Sequence, residues 1–547
     1  MMSRLLTPSV LAAILFLTFS APAPARGQEM EAVSRISGRA LPAGYFDQIL
    51  QRPDFFQTRD GWRLRTARTM ERSTALTGTL PVAVILALFS DSPEPSVGYG
   101  EVQAALFGSS SPYGSVSEYY SEVSGGRFTV DGEVFPWVRT SLSMAEVVGD
   151  SYGLGGTART REYLFEAASL VDESVDFGQF DNDGPDGIPN SGDDDGSVDA
   201  VAFQFLEVSA SCGGPAIWPH RSRLQYWNDD IPFVTNDLRP NGTHIVLNDY
   251  TTQSAFDCTG NNVQKATTIA HELGHVLGLP DLYDRSQGLE PQYRRWVVGC
   301  WSLMAAGSWG CGTDNRDGWL RPTHMGPWEK MLLGWLDEVE DVGRVLDQEF
   351  TLQPVQSGQR ILKVPLEWDD PQYDWQAEDD EYLLIEYRTK EGFDADLPSS
   401  GVMVYHIDPK VPGNRPCDTC PQQYRVSVVE ADGNRSLQRS FLEGGNRGEA
   451  GDAWGTLGPG SLTNNTSPSS RKTSGDRSPV SIYQIYVEAG LAHVVLSSKG
   501  FSNETLVQSF LEGQETPLTP EEMAYLDAHG NDNGEYDVGD LRAYLRR

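Results

Sequence analysis

Two histidines and a glutamate in one short run, His271-Glu272-Leu273-Gly274-His275, carry the strongest chemical signal in this chain of 547 residues. On a helix, residues four apart share a face, so His271 and His275 aim both imidazoles at one point. Two imidazoles one turn apart can grip a single Zn²⁺. Glu272 then lies where it can take a proton from water beside the ion. Gly278 lets the backbone turn after the helix, and Asp281, six residues past His275, can return as a third ligand. Three protein ligands leave a position for water, which separates a catalytic zinc site from a structural one. Asp284 is a rival for the third place, but Asp281 has the better register.

The surroundings suit that chemistry. Val263, Ala266, Ile269, Ala270, Leu273, Val276 and Leu277 form an apolar stripe of helical period, which buries one side of the helix and leaves the polar trio on the other. Downstream, Ser302, Met304 and Gly307 spell S-x-M-x-x-G. In metzincins a tight turn carrying Met lies beneath the zinc ligands, and Met304 is the candidate for that soft floor. His324 follows this turn and is the candidate oxyanion stabiliser, set against the ordinary role of a structural histidine. His220, in Ile217-Trp218-Pro219-His220, is a weaker candidate for the substrate edge.

The run H-E-L-G-H-V-L-G-L-P-D-L-Y-D followed by W-S-L-M-A-A-G-S-W resembles the immune inhibitor A family of secreted bacterial metallopeptidases. The strand-like Pro81–Leu86, the helix-like Ser115–Ser124 and the stretch from Arg321 to Trp335 extend the likeness, which covers roughly residues 80 to 490. The resemblance implies an α+β chain with a zincin or metzincin-like catalytic domain and supports a β-sandwich after it, while the last residues read on their own pattern as a small helical EF-hand-like tail. It implies a secreted zinc-dependent endopeptidase that hydrolyses peptide bonds in proteins, with Glu272 as general base and His271, His275 and Asp281 on the metal. The competing class is a calcium-dependent extracellular binding or docking protein built on an inactive peptidase domain.

Composition narrows the partners. A formal charge of −35 argues against nucleic acid and anionic membranes and suits solubility and bound Ca²⁺. Residues 1–25 read as a signal peptide, with a charged start, an apolar core from Leu5 to Phe19 and a small-residue cleavage zone ending at Ala25. No later run is long and apolar enough for membrane insertion. Six cysteines in an exported chain imply disulfides; sequence does not choose among the pairings, and short loops favour Cys417–Cys420, Cys300–Cys311 and Cys212–Cys258.

The expected order is an N-terminal extension or propeptide over 26–79, the catalytic domain over 80–344, the β-sandwich over 345–498, a polar linker over 499–517 and the tail over 518–547. The extension has no cysteine, which excludes latency through a thiolate on zinc. Within the catalytic domain, Pro81–Leu88 and Asp199–Phe205 read as strands and Ala158–Val171 as a helix. Thr243–Leu247 reads as the edge strand that would pair with extended substrate. Two acidic loops look like calcium loops. In the first, Asp181, Asp183, Asp195 and Asp199 are spaced by glycines so that carboxylates can converge on a hard cation. In the tail, Asn531, Asn533 and Asp540 fall on an EF-hand-like register resembling half of a dockerin, a calcium-dependent docking module. His529 stands where that pattern expects a carboxylate.

Overall fold

The computed structural model of the chain describes residues 39–56, 75–109, 111–284, 291–311, 321–367, 380–414, 423–455, 460–501, 503–511 and 516–546. The proposed signal peptide and the Cys417–Cys420 pair lie outside them. The first described element is a helix, α1 (Ala43–Gln51). The main sheet begins with β1 (Gly78–Leu88), whose run of Val, Ile, Leu and Ala is buried on both faces, as a central strand requires. Helices α2 (Tyr99–Phe107) and α3 (Val116–Val123) lead to β2 (Phe128–Arg139). After α4 (Met144–Val148) and α5 (Thr160–Asp172) comes β3 (Ala200–Phe205). Four strands follow: β4 (His220–Arg223), β5 (Phe233–Leu238), β6 (His244–Leu247) and β7 (Asp249–Ser254). Then come α6 (Ala266–Val276), which carries the histidines, and α7 (Pro327–Leu333).

The five-stranded sheet runs β2-β1-β3-β7-β4, parallel except for β4, which lies antiparallel to β7 at the edge. Strand alternation divides β1 between two cores. Val82, Val84 and Leu86 face α3 and α6, whereas Ala83, Ile85 and Ala87 face α5. Helix α3 is held at its start by a reciprocal cap: the Ser115 hydroxyl accepts from the Glu118 N–H, and Glu118 accepts from the Ser115 N–H.

The edge-strand expectation for Thr243–Leu247 is corrected. His244–Leu247 of that run form β6, which pairs with β5 in a separate two-stranded sheet. The edge of the main sheet is β4, whose sequence H-R-S-R is too short and polar to announce itself. Its register against β7 (His220 opposite Thr252, Arg223 opposite Asp249) makes it a strand.

Beyond α7 the chain is β-rich. Strands β8 (Glu338–Asp341), β9 (Gln348–Leu352), β10 (Arg360–Pro365), β11 (Tyr382–Arg388), β12 (Gly401–Ile407), β13 (Val426–Val428), β14 (Gly460–Leu462), β15 (Ser481–Glu488) and β16 (Leu491–Ser497) form two sheets, β13-β12-β11-β10-β8 and β14-β15-β16-β9. Leu383, Ile385, Val402 and Val404 pack against Phe350, Leu352, Ile482 and Val494 of the second sheet. Their neighbours Leu384, Met403 and Tyr405 point the other way, into the same core as Leu273 and Met304. The β11–β12 pair is thus buried on both faces and fused to the helix that bears the histidines.

A buried ionic network crosses this junction. The Arg388 guanidinium donates to both oxygens of Asp394, each at 2.6 Å, to Glu386 Oε1 at 3.0 Å and to the Trp301 carbonyl at 3.0 Å. All three charged side chains are fully buried.

The C-terminal residues form α8 (Asn503–Gln508), α9 (Pro520–Ala528) and α10 (Val538–Tyr544). The stretch 499–517, expected as a polar linker, instead carries α8 and buries Phe501 and Leu506 with Leu518, Tyr525 and Leu526. Tyr483–Tyr525 and His529–Asp347 hydrogen bonds, at 2.6 and 2.7 Å, tie this cluster to the β-rich region.

Asp394→Ala leaves the buried Arg388 charge with Glu386 as its remaining carboxylate partner, and removing one partner of a buried pair costs about 3–5 kcal/mol. Denaturant unfolding should therefore show a drop of about that size; a change under 1 kcal/mol would contradict the role given to this pair.

Candidate metal centre

Helix α6 supplies His271 and His275 from one face, with ring centroids 4.8 Å apart. The helix ends at Val276 with Leu277 as its cap, and Gly278 follows with φ of +91°, a left-handed conformation that costs a glycine little. That turn sends the chain back beneath the helix and delivers Asp281. Its Oδ1 lies 3.2 Å from His271 Nε2 and 3.4 Å from His275 Nε2. All three side chains are buried, and their ligand atoms lie within 4.8 Å of one another. Asp284, the rival, is directed instead to Tyr424 at 3.3 Å and Arg295 at 3.6 Å.

Hydrogen bonding settles the tautomers. His271 Nδ1 lies 2.9 Å from the Leu303 carbonyl and His275 Nδ1 2.7 Å from the Leu279 carbonyl. A carbonyl only accepts, so each Nδ1 is the protonated nitrogen. In the neutral rings each Nε2 then turns a lone pair towards the Asp281 carboxylate. Two lone pairs and an anion in a buried pocket repel unless a cation, proton or metal, sits among them. Burial disfavours the His271 imidazolium, yet the Asp281 and Glu272 carboxylates carry it up to about 9. Asp281 is held well below the carboxylate range by the two imidazoles, although burial opposes this. The donor set, two imidazole nitrogens and one carboxylate, matches the ligands of a catalytic zinc site and passes this test of fit.

The floor of the site is the turn at Met304, which is fully buried in the core shared with α6. Its carbonyl accepts from the Leu282 N–H at 2.8 Å, next to Asp281. Ser302 accepts from the Met304 N–H at 3.0 Å and donates to Glu329 of α7. Tyr120 of α3 donates to the Ala270 carbonyl at 2.7 Å. Gly274, between the histidines, faces Met304, and a methyl there would lie 2.6 Å from the Met304 sulfur.

A cleft opens above the trio. Glu272 lines it, and the Arg221 main-chain N–H of β4 hydrogen-bonds its carboxylate. Burial, partly offset by the imidazoles, raises the Glu272 carboxyl above the ordinary range. Sequence reasoning missed the rest of the lining, which includes Trp218, Tyr283, Arg294, Trp296 and Trp309. Arg294 stacks over Tyr283 and Trp296 at 5.8 and 5.6 Å. Leu41, Tyr45 and Phe56 of the N-terminal segment also line the cleft, and Arg294 donates to the Arg39 carbonyl at 3.0 Å. No motif announces these residues; the fold alone brings them together. His220 reaches the cleft, but its nitrogens engage the Trp218 carbonyl and the Tyr250 hydroxyl, and burial lowers it to about 4.

His324 is elsewhere. It is fully buried, with Nε2 at 2.8 Å from Glu122 and Nδ1 accepting from Lys330 at 3.1 Å. Both ring nitrogens are committed and the ring does not line the cleft, so the oxyanion role is withdrawn.

In the first acidic loop Asp181, Asp183 and Asp199 converge within 4.8 Å and are buried, while Asp195 is exposed and outside the group. Asp181 Oδ1 has no hydrogen-bond partner, and burial and then Asp195, Asp194 and Asp183 push the carboxyl up to about 8. In the tail the EF-hand-like reading meets a different arrangement. Asp540 accepts from the Asn531 and Asp537 N–H groups, the Asn531 amide oxygen from Asn533, and the Asn533 amide oxygen from Glu535. Asp527, two residues before His529, accepts from the Asn533 and Gly534 N–H groups. These oxygens are satisfied by backbone, and the residues do not gather as a metal cluster among the described residues. The disulfides Cys212–Cys258 and Cys300–Cys311 are present, with Cα separations of 5.0 and 5.5 Å. Cys212 and Cys258 stand in the wall of the cleft, and Cys300 and Cys311 pack with Trp296 and Tyr283, which line it.

Helix-borne histidines, a returning aspartate and an edge strand beside them make a candidate metal centre in a cleft. Residues 99–336 match the model of the immune inhibitor A peptidase M6 catalytic domain. The chain is 30% identical over 230 residues to the pre-pro-metalloprotease PrtV of Vibrio cholerae serotype O1, a match covering 40% of this chain and 23% of that protein. It is 30% identical over 208 residues to Immune inhibitor A of Bacillus thuringiensis subsp. alesti, covering 35% of this chain and 28% of the relative. The chain thus spans about a quarter of the length of these relatives.

Gly274→Ala should push the Met304 turn away from the histidines and cost about 1–3 kcal/mol, the usual range for an overpacked core. Thermal unfolding of this variant, alone and with Met304→Ala to make room, checks the contact: partial recovery in the double variant is expected.

Proposed function

We propose that this chain is an exported zinc-dependent endopeptidase, with a zincin-like catalytic domain over residues 80–344 backed by a β-sandwich. The observation that carries the reading is the convergence of His271, His275 and Asp281 beside Glu272 in a cleft bordered by an antiparallel edge strand. When bound, zinc supplies Lewis acidity at that point. The chain's own residues do the remainder. His271, His275 and Asp281 hold the ion, with the imidazoles kept in one tautomer by the Leu303 and Leu279 carbonyls. Glu272 takes a proton from the attacking water and returns it to the leaving amine, and the Arg221 N–H fixes its carboxylate. Strand β4 aligns an extended peptide by main-chain pairing. Export through residues 1–25 fits the two disulfides. Calcium is assigned to Asp181, Asp183 and Asp199, three buried and converging carboxylates, of which Asp181 has an Oδ1 that meets no hydrogen-bond donor.

Glu272→Gln should retain bound zinc, measured by metal analysis, and lose casein hydrolysis by at least about a hundredfold, the scale of a general base. Chelator should abolish hydrolysis by the parent, and zinc should restore it. A zinc-loaded parent with no hydrolysis at all favours the inactive, binding-protein class.

The N-terminal segment is read as a propeptide-like cover, because Leu41, Tyr45 and Phe56 occupy the wall of the same cleft. A Tyr45→Ala, Phe56→Ala variant should hydrolyse a short fluorogenic peptide several-fold faster than the parent. Equal rates would make the segment a brace.

A further inference from the structure

Away from the cleft, the loop between β13 and β14 gathers a second set of acids. Glu430, Asp432 and Asp452 each bring one oxygen within 4.8 Å of the others. Glu430 and Asp452 are buried, and Asp432 is exposed, which leaves a route from solvent. Asp452 Oδ2 is occupied, accepting from the Trp301 indole at 2.8 Å and the Glu449 N–H at 2.9 Å. Its other oxygen, Oδ1, is buried with no hydrogen-bond partner. Glu430 accepts from the Ser436 and Leu437 N–H groups at 2.6 and 3.2 Å, which orients its carboxylate and still leaves lone pairs free. Among the described residues none of the three carboxylates makes an ion pair, and Glu449 adds a fourth acid nearby.

Buried carboxylates this close repel one another and pay for desolvation as well. A proton or a cation would relieve both. One proton neutralises one carboxylate only, whereas one cation would engage Asp452 together with Glu430 and Asp432. We propose that Glu430, Asp432 and Asp452 form a divalent-cation site of calcium type that fastens this loop to the segment carrying Met304. The all-oxygen, carboxylate-rich donor set selects a hard ion over zinc. The loop is already wrapped around that segment: the Arg447 carbonyl accepts from the Cys300 N–H at 2.7 Å and the Leu437 carbonyl from the Val297 N–H at 2.8 Å. A methyl on Gly448 would lie 2.8 Å from Cys300 Sγ. Loading the site therefore stiffens the support of the methionine floor. None of this requires that the chain hydrolyse peptides.

The test reads calcium, so its failure is separate from failure of the peptidase reading. Calcium bound to the full chain is counted by equilibrium dialysis for the parent, Asp452→Asn and Glu430→Gln, with Asp181→Asn as the control that reports the other acidic loop. Each of the first two variants should bind one calcium fewer than the parent, on top of whatever Asp181→Asn removes. Thermal unfolding adds a readout that a poorly folding variant cannot imitate. In calcium-free buffer Asp452→Asn should unfold at a higher temperature than the parent, because one repelling charge is gone; in saturating calcium the order should reverse. Equal calcium counts in parent and variants, or an order of midpoints that calcium does not change, would overturn the site.

Discussion

The candidate metal centre rests on two main-chain carbonyls. Leu303 and Leu279 each accept the Nδ1 proton of one histidine, and this turns both Nε2 lone pairs towards Asp281. Without those acceptors the rings could rotate or swap tautomer, and the trio would not offer a cation three donors at once. Both carbonyls are tertiary or post-helical features. Leu279 lies beyond the Gly278 turn, and Leu303 belongs to the Met304 segment, so the turn and the methionine floor act on the site through hydrogen bonds as well as packing.

That dependence explains why the β-rich region is not an appendage. Strands β11 and β12 share a core with α6 and Met304, and Arg388 donates to the Trp301 carbonyl at 3.0 Å from within a fully buried ion pair. Ser302 leans on Glu329 of α7, and the loop after β13 grips Val297 and Cys300. The backbone from Val297 to Met304 is therefore held from three directions. A buried pair such as Arg388–Asp394 adds little net stability against an apolar alternative, but it penalises any other arrangement heavily. Here it fixes the seam between two cores.

This strongly acidic chain buries several carboxylates, and it compensates them in different ways. Asp281 faces two imidazoles, Asp394 an arginine, and the tail acids Asp527 and Asp540 a set of backbone N–H groups. The tail thus keeps an EF-hand-like sequence while its oxygens are satisfied from within. Asp181 and Asp452 each keep one oxygen that no protein group meets. The difference is not visible in composition, since all of these loops are rich in Asp, Asn and Gly.

What the sequence determined was local. Helical spacing put His271, Glu272 and His275 on one turn, the glycine after the helix allowed the return to Asp281, and the unbroken apolar run of β1 marked a central strand, because each depends on periods of a few residues. Short loop spacing likewise favoured the Cys212–Cys258 and Cys300–Cys311 bridges. What only the tertiary structure decided were the contacts between distant segments. The edge strand moved from Thr243–Leu247 to the unpromising His220–Arg223 because pairing with β7, not pattern, makes it a strand. His324 left the cleft because Glu122 and Lys330, far apart in sequence, claim both its nitrogens. The supposed linker folded because Leu506 found an apolar cluster to enter. Burial and hydrogen-bond partners at long range carry no local signature, and they decided which candidate residues face the cleft.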